Sequence, residues 1–417
     1  MDTGFIVRLR PIGPWRLGPS SGARNRVDRV LHSDTLYSAL TIASRQLGML
    51  SEWLGATAEA KEPAVRVGSA FPFTGRTLLA PAPRHVWPPA SSSKIRWKAA
   101  RFVPLQVVPR LLAYESLKED RWAVDPISEA VLPVEKFGEV TPPFRIGYRR
   151  TAIVDRISGV SHEAAELACL EFSEGSGMWC PVLCSSEWTD RVKSLFRFIA
   201  DAGVGGERSS GWGKSAVPEF EPLPSALTTS TREAEHHETG YWVLSLFAPS
   251  ESDRVDWTRG SYALLRRSGR TDSDGALKIE SAMVEEGSIV VAESAPTGFA
   301  RDVAPGGSNH AVYRVGFAVS VPISFRLPTF QALQKVTAVE PSVEEAPPAE
   351  PTASDQSFED STAQPLVDTE PEIFTVETSS VNEGSLAPEE AEAIEDATAE
   401  PPIEPASGEP EEPEEQQ

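Results

Sequence analysis

The chain has 417 residues, enough for two domains with cores of their own, and a formal charge of −22. That charge is uneven: residues 339–417 carry 24 acidic and no basic side chains, which leaves 1–338 at +2 and the first 110 residues at +10. Three cysteines, no apolar run of membrane-spanning length and an N-terminus, MDTGFIVRLRP, in which charge and proline follow at once exclude a disulfide framework, a membrane span and a signal peptide; the expectation is a cytoplasmic protein with reduced thiols.

In chain order, Gly4 to Arg10 alternates as a strand, with Phe5, Val7 and Leu9 on one face and Ile6, Arg8 and Arg10 on the other. A Gly/Pro/Arg-rich loop follows, holding Arg16, Arg24, Arg26 and Arg29. Leu36, Leu40, Ala43 and Leu47 then trace a helical stripe, with Ser33 as N-cap, Asp34 in the first turn and Gly48 at the end. Short strands are expected at 65–67, 69–73 and 77–79. Residues 84–110 read as a basic insertion containing Trp and Pro, and 144–184 as a hairpin-rich region. Trp188, Val192, Leu195, Phe196 and Ile199 predict an amphipathic helix over about 186–201.

That helix runs into five glycines around an Arg-Ser-Ser: Gly203, Gly205, Gly206, Arg208, Ser209, Ser210, Gly211, Trp212 and Gly213. Phe220 beyond them reads as an edge strand after Pro218. The glycines therefore lie between a helix and a strand. Dinucleotide folds and P-loops need the opposite order, with phosphates at a helix N-terminus. Gly213-Lys214-Ser215 imitates the end of a P-loop, but Arg208 stands where its first glycine belongs. What remains is a loop of amides, one guanidinium, two hydroxyls and an indole, suited to phosphates and a stacked base, or else a turn with no ligand.

After a polar linker at 223–240 the second half is expected to place strands at 241–247, 262–270, 287–292 and 313–323. In the last of these Val315, Phe317, Val319 and Val321 alternate. Residues 339–417, rich in Pro, Glu, Ser, Thr and Ala, lack the apolar content to fold. The expected division is a first domain at 1–222, a linker at 223–240, a second domain at 241–338 and an acidic tail from 339.

Few residues here promise chemistry. His32 at a helix start in a basic region has the position of a general base on a ribose 2′-hydroxyl, but the sequence offers no clear second acid or base. Asp34 reads as a cap before it reads as a metal ligand. Cys169, Cys180 and Cys184 with His162 match no structural zinc spacing and read as small buried thiols. Arg266, Arg267 and Arg270 around Gly269 are a phosphate clamp or a solvated face.

Taken in order, the opening strand and loop, LHSDTLYSAL at 31–40, SAFPF at 69–73, DRISG at 155–159, GVGGERSSGWG at 203–213, YALLRRSGR at 262–270, EEGSIV at 285–290 and YRVGFAVSVPI at 313–323 resemble the Csm subunit-four family. This is a RAMP-superfamily family of type III-A CRISPR effector complexes. The resemblance spans about 1–325 and omits the tail. It implies an α+β fold of two tandem ferredoxin-like (RRM-like) domains with a β-hairpin thumb. It implies a non-catalytic subunit that binds the 5′ handle of the crRNA and contacts the large polymerase-like subunit and the backbone RAMP subunit, with no cofactor and no membrane. Carried over by motif, the RNA-binding set is Arg24, Arg26, His32, Ser33, Asp34, Arg156 of the thumb, the glycine loop from Gly203 to Gly213 with Arg208, Ser209 and Ser210, and Arg266, Arg267 and Arg270. The alternatives are a metal-independent endoribonuclease processing precursor CRISPR RNA with His32 as general base, and a protein-only scaffold.

Overall fold

The computed structural model describes residues 2–325 apart from 20–21, 85, 89–94, 135–140, 155–156, 159, 229–237 and 273–274; all of them lie in one compact unit. The first half supplies β1 (Asp2–Leu9), α1 (Ser33–Gln46), α2 (Leu50–Ala56), β2 (Val65–Val67), β3 (Phe71–Thr74) and β4 (Thr77–Pro81). It continues with β5 (Phe102–Pro104), α3 (Val108–Leu112), β6 (Trp122–Asp125), β7 (Ala130–Pro133), β8 (Phe144–Val154) and β9 (Ser161–Phe172). It closes with β10 (Ser176–Ser185), α4 (Thr189–Ala202) and β11 (Glu219–Pro222). One sheet has the order β11-β1-β10-β3-β4-β5-β7-β6, with β2 also on β10.

Its core is β11-β1-β10 with β2 and β3 laid end to end along the far side of β10, all antiparallel. With α1 and α4 as the crossovers this is the ferredoxin-like β-α-β-β-α-β arrangement. The break between β2 and β3 falls opposite Pro181, whose carbonyl accepts from Gly68 N while its missing N–H donates nothing. The two faces of β1 go where the alternation sends them: Phe5, Val7 and Leu9 pack under the helices, and Ile6 joins the core on the other face. On α4, Val192, Leu195, Phe196 and Ile199 are buried at helical spacing, each side chain contributing about 2 kcal/mol of burial. Leu47 departs from its stripe. It is the residue after α1, where the chain leaves helical geometry, and is 45% exposed.

The second half follows α5 (Ser225–Thr228) with β12 (Glu238–Val243), β13 (Val255–Ser261), β14 (Leu264–Arg267), β15 (Ser281–Val284), β16 (Ile289–Ala292), β17 (Ala300–Asp302), β18 (Tyr313–Val315) and β19 (Ser320–Phe325). Its sheet runs β13-β16-β12-β19, antiparallel throughout, which is the ferredoxin-like strand order again. Among the described residues no α-helix fills the crossovers of this sheet; the hairpins β14–β15 and β17–β18 occupy them or the link between β13 and β16. The fold is thus α+β, with the helices concentrated in the first half.

The two sheets share a core. Trp242, Leu244, Ile289, Val319, Val321 and Ile323 pack in one cluster with Phe71, Phe102 and Trp179 of the first sheet. The long strand expected at 313–323 is divided. Gly316 and Ala318 donate to the carbonyls of Phe299 and Thr297, so the chain at 316–319 bonds to neighbouring loops rather than to a ladder. No helix among the described residues is long and apolar enough to cross a membrane. Cys169, Cys180 and Cys184 are buried thiols in no disulfide among the described residues, and burial pushes the Cys180 thiol far up.

Candidate nucleic-acid interface

α1 begins at Ser33, so His32 takes the N-cap position, with extended backbone and no side-chain cap bond. Ser33 is not the cap expected from its type. Its Oγ accepts from Leu246 N at 3.0 Å across to the second half, while Ser69 Oγ receives Ser33 N at 2.8 Å. His32 lies between two carboxylates: Nδ1 is 2.7 Å from Glu286 Oε1 and Nε2 is 2.9 Å from Asp28 Oδ2. Ser69 Oγ donates to the same Glu286 oxygen. One residue on, Asp34 receives Arg267 as a fork, Nε to Oδ2 at 3.0 Å and Nη2 to Oδ1 at 2.9 Å. Arg314 stands 3.7 Å from Asp34 and spends its Nη1 on the carbonyls of Arg267 and Ile279 and on Ser281 Oγ.

His32, Asp34, Arg267 and Glu286 are each no more than 6% exposed. Burial by itself favours a neutral imidazole, but the Glu286 charge and the hydrogen bonds to Asp28 and Glu286 outweigh it and raise His32 to about 9. Burial likewise pushes Asp34 up, and the Arg267 guanidinium overrides it and holds the carboxyl below the usual range. Glu286 is held low in the same way by His32. At neutral pH His32 is therefore an imidazolium donating from both nitrogens.

The His-Ser-Asp segment is packed differently from its sequence reading: a general base needs a lone pair and a path to substrate, whereas His32 is buried with both ring nitrogens on carboxylates. Both Asp34 oxygens face guanidinium, not a metal, and no group of His, Cys, Asp and Glu suited to a metal ion occurs among the described residues. His32, Ser33, Asp34 and Arg267 sit buried in the joint between the halves, where Asp34 holds Arg267, His32 meets Asp28 and Glu286, and Ser33 meets Ser69 and Leu246.

The glycine loop is also built differently from its sequence reading. Gly206 N bonds to Arg16 O, Gly213 N to Pro14 O, Val204 N to Gly213 O, and the amides of Ser210, Gly211 and Trp212 turn inward to Glu207 and Arg208. Most of the amides proposed to cradle phosphate are thus used within the fold. Gly205 and Gly213 have positive φ, and a Cβ there would lie 2.3 Å from Arg16 O and 2.0 Å from Val204 O, so Gly205 lets the loop seat against residues 16–17 and Gly213 lets it close on its own Val204. Gly203 is buried against the same turn, and Trp212 is half-buried. Arg208, Ser209, Ser210 and Gly211 form the exposed crest, with Arg208 pairing Asp272 at 3.2 Å.

The exposed cations converge. Arg16 is buried and donates to the carbonyls of Ala23, Arg24 and Ala168, and Ala168 N returns a bond to Arg24 O. Trp15 pairs with Leu170, and its indole N–H bonds to Lys214 O. The arginine loop is therefore pinned along the base of the β8–β9 hairpin on one side and against the glycine loop on the other. Arg24 and Arg26 project to solvent from it, and Arg145, Arg149 and Arg150 are exposed on the hairpin, opposed by Glu166 and Glu171. Of the second-half run, Arg266 is exposed beside Glu280, and Arg270 is exposed with one N–H on Gly275 O. Arg156 lies outside the described residues.

Sequence reading missed the partners of the joint: Asp28, Ser69, Glu286 and Arg314, along with Arg16 as the pin of its own loop. Asp28 and His32 have the spacing i, i+4, a usable hint. The link from His32 to Glu286 spans 254 residues and leaves no local trace.

Residues 236–323 match the CRISPR Csm4 C-terminal domain. Among solved structures the chain resembles one in the crystal structure of a Csm3–Csm4 subcomplex of the type III-A CRISPR-Cas interference complex, at 18% identity and a TM-score of 0.53, over 76% of this chain and 99% of that one. It also resembles a chain of a Csm1–Csm4 cassette in complex with pppApA, at 19% identity and a TM-score of 0.48, over 78% and 99%. At such identities the first likeness establishes the fold. No curated protein matches the sequence.

Proposed function

We propose that this chain is a member of the Csm4 family, a reading supported by the match of residues 236–323 to the Csm4 C-terminal domain and by the fold. On that premise it is a subunit of a type III-A CRISPR-Cas interference complex. Its role in the complex is to hold the repeat-derived 5′ handle of the crRNA without catalysing a reaction, and to bridge the backbone RAMP subunit to the large polymerase-like subunit.

The observation that carries the RNA-binding reading is the convergence at the hairpin base. Among the described residues, Arg145, Arg149 and Arg150 pair with the two carboxylates Glu166 and Glu171, and the exposed Arg24 and Arg26 stand on a loop locked to the same hairpin by backbone hydrogen bonds. Guanidiniums fixed on a rigid support suit phosphate oxygens, because little side-chain and loop freedom is lost on binding. The exposed crest at Arg208, Ser209 and Ser210 and the exposed Arg266 and Arg270 extend the surface toward the second half. His32 as an imidazolium sealed in the joint favours binding without cleavage.

The test is binding of end-labelled repeat–spacer RNA at moderate salt, comparing an intact 5′ handle with a scrambled one, with the large subunit added in a parallel series. A handle-dependent shift with no shortened product is expected. Equal affinity for both RNAs removes the handle reading, and a cut product lost in His32→Ala reinstates the nuclease.

A further inference from the structure

A second feature lies away from that surface. The segment after β4 and the turn between β15 and β16 enclose a cleft of about 400 Å³, a size common for small-ligand sites. Arg84, Trp87, Lys98 and Arg101 line it from the first half, and Tyr262, Glu285 and Glu286 line it from the second. Its rim is cationic: Arg84 and Arg101 share the carboxylate of Glu285, Arg101 at 3.1 Å and also 3.7 Å from Asp28, and Lys98 is exposed beside them. Counting His32 between Asp28 and Glu286, the four cations Arg84, Lys98, Arg101 and His32 still exceed the three carboxylates by one.

Two aromatic groups complete the lining. Trp87 is fixed in orientation by stacking on Trp97, with centroids 5.3 Å apart, and by indole bonds to the carbonyls of Trp97 and Ala100. Tyr262 is 39% exposed at the rim and is braced edge-to-face by Trp257, 5.0 Å away. Beneath them Glu286 has one oxygen taken by His32 and Ser69, while its Oε2 is buried with no hydrogen-bond partner. A buried carboxylate oxygen in that state calls for a donor.

We propose that this cleft binds one unstacked nucleotide of single-stranded RNA, with its base against Tyr262, its phosphate at Arg84 and Lys98, and an amino edge toward Glu286. Its biological ligand rests on the RNA-binding reading above, whereas the cleft itself is read from its own lining. An aromatic ring beside several cations is the pairing that single-stranded nucleic acid selects. A lone acceptor at the floor favours bases with an amino group. Uracil places its N–H between two carbonyl oxygens, which a carboxylate repels.

Calorimetric titration of the full chain with AMP, UMP, adenosine and inorganic phosphate separates the components, and a short polyglutamate peptide tests the other class of polyanion. AMP is expected to bind in a one-to-one saturable manner, at least tenfold more tightly than adenosine, phosphate or the peptide, with UMP weaker than AMP. Tyr262→Ala should weaken AMP about 5- to 150-fold, the range for one lost base-stacking contact, while Tyr262→Phe retains it. Lys98→Ala should narrow the gap between AMP and adenosine. AMP bound no better than phosphate or peptide, or bound equally by Tyr262→Ala, overturns the proposal. RNA binding retained without AMP binding overturns the cleft and leaves the hairpin surface standing. AMP binding without RNA binding overturns the hairpin surface and leaves the cleft.

Discussion

The His32–Asp34 joint and the arginine surface at the hairpin base are written in the same residue types and do opposite work. In the joint, Arg267 meets Asp34 at 6% and 7% side-chain exposure and His32 meets Glu286, both pairs across the two halves. At the hairpin base Arg145 and Arg150 are 76% and 82% exposed, with cations in excess. A buried cation must be matched within the protein, because removal from water costs several kcal/mol per ion. An exposed one keeps its hydration and remains available to a phosphate. Exposure, not residue type, divides the two.

The largest expected effect breaks the joint. Asp34→Ala leaves Arg267 and Arg314 buried without the carboxylate they share and should cost about 3–5 kcal/mol in denaturant unfolding. A loss below about 1 kcal/mol would mean that the pair is not sealed. Arg267→Lys should also destabilise, because an ammonium cannot reproduce the fork.

The next prediction uses pH. His32 is raised when folded, so the stability it contributes is complete below its unfolded value near 6.5 and is lost as pH rises through about 9. Asp28, Asp34 and Glu286 are held low when folded, so theirs is present above about 4.5 and is lost as pH falls further. Thermal unfolding across pH should therefore decline on the alkaline side, and His32→Gln should flatten that decline. An identical alkaline slope in the variant would place His32 outside the titrating set.

A smaller effect sharpens the account of the glycine loop. Gly213→Ala meets both a left-handed backbone and the Val204 carbonyl, and should cost about 2 kcal/mol or more. Gly211→Ala shares the positive φ but enters open space, so its cost should stay near 1 kcal/mol. Equal losses in chemical denaturation would show that the loop does not depend on the close approach of Gly213 to Val204. Smallest in stability is Arg208→Glu on the crest, expected within about 0.5 kcal/mol of the parent, with its effect confined to RNA affinity.

How much of this was legible in the sequence depends on the range of the interaction. The alternation of Phe5, Val7 and Leu9 and the stripe on α4 report local periodicity, and both faces are where the spacing sends them. The glycine loop was located between helix and strand, but its role was not, because a glycine that lets a backbone pack looks the same as one that admits a ligand. His32 and Asp34 stand out in the sequence as charge at a helix start in a basic region, which reads as a candidate base, a cap and an RNA-binding segment and not as a buried joint. Their partners Glu286 and Arg267 lie more than 230 residues away, and no spacing rule links them. The break at 316–319 was hidden for the same reason: an alternating run does not say which backbone it bonds to.

The central claim is that the arginines at the hairpin base grip RNA phosphates and do not hold the fold. The measurement that tests it most directly is the salt dependence of handle-RNA affinity for Arg24→Glu/Arg26→Glu against the parent chain. Two lost phosphate contacts on single-stranded RNA should lower the slope of log affinity against log salt by about 1.4, with no change in unfolding temperature. An unchanged slope, or a slope that falls only together with a fall in stability, would contradict it.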